Sequence, residues 1–163
     1  MKKREKELLS ILLRNSKLSD REIAKKLKTS QSTITRTRHK LERSGIIKSY
    51  VTIPNFKKVG VQVMAVTFGK ANASAENILK KVHAFMQKHP NIMFAATGEG
   101  MGMTGAMVSL HTDFSRYTDF IREFRASLDG DIMDLQSFII PVDRIDRLNF
   151  GEAVSYIAKK NES

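Results

Sequence analysis

Apolar residues recur every three to four positions in the first third of the chain, and beyond it that period alternates with short continuous apolar runs. Leu8, Ile11 and Leu12 stand at helical spacing and Leu9 and Leu13 widen the stripe, which predicts a helix from Lys3 to about Asn15. Ser19-Asp20-Arg21-Glu22 reads as a capping box, with Leu18 and Ile23 placed to staple the entry. A short second helix then runs to about Leu27 and buries Ile23, Ala24 and Leu27. Lys28-Thr29 is a tight connection to Ser30, which can cap a third helix that Gly45 ends in a left-handed conformation. Between those ends only Ile34 and Leu41 are apolar and stand at i and i+7, so the inward seam is narrow. Two helices, a tight turn and a third helix with a polar outer face form a helix-turn-helix.

Past Gly45 the period changes to that of a strand. Ile46 to Ile53 is a β-rich run stopped by Pro54-Asn55, a strand that must pair with something, a second copy of itself included. Val61 to Phe68 predicts a buried strand, and Ser74 can cap a helix to about Lys88 with Ile78, Val82, Phe85 and Met86 on one face. Ile92 to Thr97 and Ala106 to His111 read as strands flanking a glycine-rich loop. Asp113 can cap a helix that carries Phe114, Tyr117, Ile121, Phe124 and Leu128, and beyond Gly130 a last strand covers Ile132 to Ile140. The order β-α-β-β-α-β is ferredoxin-like, with both helices on one face of a four-stranded antiparallel sheet. The fold class is therefore α+β: an N-terminal winged helix-turn-helix domain over 1–45, a linker strand over 46–60 and a ferredoxin-like dimerisation domain over 61–150. The tail, 151–163, has the spacing of a short helix. The uncovered sheet face calls for a homodimer.

Charge sharpens this division. The chain carries a net +11, and residues 1–58 hold 17 Lys and Arg against 5 Asp and Glu, leaving 11 against 12 for the remainder. A polyanion-binding module joined to a nearly neutral one accounts for that asymmetry. The outer face of the third helix supplies the chemistry: Ser30, Gln31, Ser32, Thr33, Thr35, Arg36, Arg38, His39, Lys40 and Arg43. Gln and Arg make bidentate contacts to purines, and hydroxyls, Lys and Arg reach phosphate oxygens. Gln31, Ser32, Thr33, Thr35 and Arg36 are placed nearest the bases, and Arg38, Lys40, Arg43 and Lys25 nearer the phosphates. Double-stranded DNA is the expected partner.

The two halves together resemble the Lrp/AsnC, or feast/famine, family of transcription regulators over about Glu7 to Phe150. The resemblance is carried by Leu18-Ser19-Asp20-Arg21-Glu22-Ile23-Ala24, Ser30-Gln31-Ser32-Thr33-Ile34 and Leu41 to Ile47, and again by Val59-Gly60 and the strand after it. The basic bias suggests an archaeal member. The resemblance implies a homodimer joined through the C-terminal sheets, often assembled into tetramers or octamers, and a pseudo-palindromic site read by helices roughly 34–36 Å apart. It also implies a small effector, usually an amino acid, near the loop between the second and third strands. Here that is Thr97, Gly98, Glu99, Gly100, Met101 and Gly102, where Glu99 can meet an ammonium and backbone N–H groups a carboxylate. Two departures stand out. Arg38 occupies a position that is usually apolar, and the loop is longer and richer in glycine than the family's, with Glu99 as its one acid.

Other chemistries find less support. With no cysteine there is no disulfide or thiolate site, and neither a cofactor nor a metal is expected. Met101, Met103 and His111 form a weak soft-metal set. The glycine run is followed by a strand, not by the helix that a dinucleotide loop requires. Relatives that act as tetrapyrrole decarboxylases need a cationic, histidine-rich pocket, whereas the basic residues here are dispersed among acids, so an enzyme is not expected. An architectural protein that coats DNA would use the same helix as a specific regulator. No run approaches the roughly 20 apolar residues that span a bilayer, and the basic N-terminus lacks a following apolar segment with a cleavage site. The expected location is the cytoplasm, associated with the nucleoid.

Overall fold

A computed structural model describes residues 1–72 and 75–160. The chain divides into two compact units, Met1–Ile53 with Arg147–Ser163, and Pro54–Asp146. Among the described residues no helix is long and apolar enough to cross a membrane.

The first unit contains α1 (Lys3–Arg14), α2 (Asp20–Lys26), α3 (Gln31–Arg43) and the terminal helix α6 (Phe150–Lys160). Leu8 and Leu12 of α1, Ile23 and Ala24 of α2, and Ile34 and Leu41 of α3 form its core, bordered by Leu9, Ile11, Leu18, Leu27 and Ile47. The capping box forms as expected: Ser19 Oγ accepts from the Glu22 amide, and Glu22 Oε2 accepts from the Ser19 amide at 2.8 Å. The turn into α3 uses Lys28 at φ 48, and Gly45 ends α3 at φ 70 while the Ile47 amide reaches back to the Leu41 carbonyl. The tail is helical and lies along α1. Ser10 and Ser155 share a hydrogen bond of 2.6 Å, and a Cβ at Gly151 would collide with the Leu13 carbonyl oxygen. Glycine at 151 is what lets the two helix backbones approach so closely.

Ile46 to Ile53, expected as a strand, forms none in the single chain. A turn follows α3, and residues 48–55 carry no regular element, with Val51 and Ile53 exposed. Pairing across a sheet needs a second strand, and among the described residues the unit that holds this segment contains none.

The second unit carries β1 (Val63–Ala71), α4 (Ala75–Lys88), β2 (Ile92–Gly100), β3 (Met103–His111), α5 (Phe114–Ser127) and β4 (Ile132–Pro141). The strand order β2-β3-β1-β4 is antiparallel throughout, the ferredoxin-like arrangement read from the sequence. The Ser74 cap lies outside the described residues, whereas the Asp113 cap forms, accepting from the Arg116 amide at 2.8 Å. Ile78 and Phe85 of α4 and Phe120 and Phe124 of α5 pack with Leu128 onto Met107. The register puts Phe94, Val108, Val66 and Phe138 in one row across all four strands, on the opposite face from Met107. Phe94 and Phe138 are 52% and 69% exposed, so the two aromatic ends of the row face outward.

His111 ends β3 inside this unit, 6% exposed, with its ring against Tyr117 and Phe120 and Nε2 2.8 Å from Ser109 Oγ. Burial pushes its pKa below the ordinary 6.5. The unfolded chain therefore binds a proton more readily than the folded one, and this group's contribution is complete above 6.5 and shrinks as pH falls below it. Unfolding midpoints measured across that range should decline less steeply for His111→Gln than for the parent protein.

Candidate nucleic-acid interface

The interface is built on α3, whose start is fixed by Ser30. Its Oγ accepts from the Thr33 amide at 3.2 Å and lies 2.7 Å from Thr33 Oγ1, so both hydroxyls are engaged in starting the helix. Ile34 and Leu41 are buried and orient the helix about its axis. Gln31, Ser32, Thr35, Arg36, His39 and Arg43 then line one shallow depression on the outer side. Among the described residues no protein group holds the side chains of Gln31, Arg36 or Arg43, and Lys25 on α2 is likewise exposed. Four groups able to reach bases or phosphates are therefore presented to solvent with their donors free.

Other residues assigned to the DNA face have partners within the unit. Arg38 turns back toward α2. Its Nε and Nη2 both lie 2.7 Å from Asp20 Oδ1, Nη2 also donates to the Leu18 carbonyl at 3.2 Å, and only 15% of the side chain is exposed. The other Asp20 oxygen accepts from Thr35 Oγ1 at 2.6 Å. Arg38 sits where its stem continues the apolar seam between Ile34 and Leu41, and its guanidinium is occupied by Asp20 and the Leu18 carbonyl. Lys40 pairs with Glu5, a carboxylate buried on α1 and held below its usual range first by that lysine and then by the Lys2 amide. His39 is exposed, with Nδ1 3.1 Å from Glu42 Oε2. Asp20, Glu42 and Tyr50 were not singled out from the sequence as parts of this site. Asp20 showed only as a member of the capping box, and Tyr50 only as one residue of a β-like run.

The glycine-rich segment of the second unit is not a long loop. Met101 and Gly102, at φ 53 and φ 73, make a two-residue turn that joins β2 directly to β3, with Gly100 paired to Met103. Close to this turn regular pairing lapses between Thr97 and Gly100, around Gly98 and Glu99, and at the far end of β2 it shifts once more between Ile92 and Phe94. Asparagine and glycine suit both turn positions; the methionine at the first one hid the turn. Thr97 and Thr104 also border a cavity of about 520 Å³ between α4 and the sheet, where Gly69, Ala71 and Ala95 leave space beneath Ile78 and Val82. Its described lining contains no Lys, Arg, Asp or Glu. Met103 and His111 stand at opposite ends of β3, roughly 26 Å apart at the usual rise of a strand, too far to share a metal.

Residues 1–48 match the winged helix-turn-helix DNA-binding family. The chain is 30% identical over 126 residues to an HTH-type transcriptional regulator of Pyrococcus furiosus, covering 77% of this chain and 82% of that one. It is 32% identical over 88 residues to the HTH-type transcriptional regulator LrpC of Bacillus subtilis, covering 53% of this chain and 58% of LrpC. Among solved structures, a Neisseria meningitidis transcriptional regulator in complex with L-Met superposes with a TM-score of 0.82 at 18% identity, covering 93% of this chain and 95% of that one. The LrpC structure does so with a TM-score of 0.73 at 22% identity, covering 92% and 98%. Fold and relatives together define a DNA-binding transcription regulator and not an enzyme. Within that class, the chain belongs to the Lrp/AsnC family.

Arg36, outward and unpartnered, distinguishes reading from mere adhesion. Arg36→Ala should weaken binding to a preferred duplex by roughly 1–3 kcal/mol and relax sequence preference at one base pair, with thermal stability unchanged. Equal weakening on every duplex would make it a phosphate contact.

Proposed function

We propose that the protein acts as a homodimer that presents two copies of α3 to a pseudo-palindromic site, with occupancy modulated by a small effector held at the β2–β3 hairpin. The observation that carries this reading is the outer face of α3, where Gln31, Ser32, Arg36, His39 and Arg43 converge on one depression. An N-terminal segment with an excess of 12 positive charges supplies the long-range attraction. Each phosphate neutralised by Lys25 or Arg43 releases condensed counterions, so affinity should fall steeply as salt rises.

The exposed row Phe94, Val108, Val66 and Phe138 supports dimerisation through the sheets. Four apolar side chains aligned on an otherwise uncovered face gain by removal from water, and a second copy offers a self-complementary patch. The amino-acid ligand of the Neisseria regulator supports an effector of that class. In this reading Glu99 receives the ammonium, which the uncharged cavity beside Thr97 supports by offering room for an apolar side chain.

Genomic fragments selected with the purified protein at moderate salt, then footprinted, test the reading directly. It expects enrichment of discrete sites whose half-sites recur one helical turn apart, and a shift in occupancy when single amino acids are added. Equal retention of all fragments would favour a protein that coats DNA without choice. Phe138→Glu should convert the dimer to a monomer in light scattering and weaken footprints at both half-sites. A dimer that survives the change would place the interface elsewhere.

A further inference from the structure

His39 does not stand alone on the outer face of α3. Its Nδ1 lies 3.1 Å from Glu42 Oε2, and the other oxygen of that carboxylate accepts from the Tyr50 hydroxyl at 2.8 Å. Tyr50 comes from the segment after the helix-turn-helix. It stands on the side of α3 that Arg38 occupies, with the guanidinium carbon 5.8 Å from its ring centroid and Nη1 3.5 Å from its oxygen. The hydroxyl therefore touches the structural side of α3 and, through one carboxylate, the reading side.

Glu42 ends in a flexible side chain that one neighbour would not hold in place. The Tyr50 hydroxyl first, and His39 second, keep its carboxyl below the ordinary range, so it is ionised and can only accept. Nδ1 must then carry the shared proton, which fixes the imidazole plane and leaves Nε2 as the nitrogen that faces outward. Exposed histidines held by a single flexible partner sample several rotamers, and binding would have to select one of them. Here that selection is made before DNA arrives.

We infer that Tyr50 is a positioning residue for the DNA-reading face: through Glu42 it orients His39 and pre-organises it for contact. The inference rests on the reading that His39 meets DNA. Tyr50 itself touches no nucleic acid in this scheme, and its ring and its place beside Arg38 are kept in Tyr50→Phe.

The test is a double-mutant cycle on affinity for the genomic duplex that the parent protein enriches most, using the full chain. Tyr50→Phe should weaken binding roughly fivefold, the value of one net hydrogen bond. His39→Ala should weaken it as well, and adding Tyr50→Phe to His39→Ala should cause no further loss. A structural role for Tyr50 would instead lower the melting temperature and give the same loss in both backgrounds, which overturns the inference and leaves the His39 contact standing. If His39→Ala binds as tightly as the parent, both the contact and the inference fall.

Discussion

The Arg38–Asp20 pair is the interaction on which the rest of the DNA-binding unit depends. A recognition helix with only Ile34 and Leu41 as deep apolar anchors would be poorly fixed in rotation. Arg38 lies on the same face and closes the gap, its stem extending the seam and its head group bound to α2 at Asp20 and the Leu18 carbonyl. Exposed ion pairs contribute little. This one is mostly shielded and the acid's second oxygen is satisfied by Thr35, so losing either partner would leave a charge without compensation, at about 1–3 kcal/mol. With α3 fixed at that edge, Arg36, His39 and Arg43 are necessarily on the far side.

Helix positions were legible from the sequence because their signals are local. The Ser19 box, the Ser30 and Asp113 caps and the periodicity of Leu8 to Leu12 or Phe114 to Leu128 each depend on residues within one or two turns. The ferredoxin-like order followed from element type and spacing. Three features were hidden for physical reasons. Met101 occupies a left-handed turn position usually held by asparagine or glycine, so a tight hairpin looked like a loop. Ile46 to Ile53 has strand composition but no described strand beside it in its own unit. The direction in which Arg38 points is decided by Asp20, 18 residues away, and no local rule sees that separation.

The tail follows the same logic. Gly151 and Ser155 gain their meaning only when set against Leu13 and Ser10, in a helix at the other end of the chain. The DNA-binding unit is thus closed by a helix encoded after the ferredoxin-like sheet, and its stability includes residues far apart in the sequence. The second unit divides its labour between its two faces. One buries Met107 and His111 under α4 and α5, and the other leaves the Phe94–Phe138 row open. Charge is divided between the units just as plainly, with the basic excess confined to the part that meets a polyanion.

That α3 separates a structural from a reading side is the central claim, and the salt dependence of binding tests it most directly when measured for Arg38→Ala beside the parent protein. An arginine on a phosphate contributes about one unit to the slope of log affinity against log salt. The account predicts that Arg38→Ala lowers the unfolding midpoint while the slope of the folded protein stays where it was. A slope reduced by about one, with stability intact, would place Arg38 on the DNA and contradict the division.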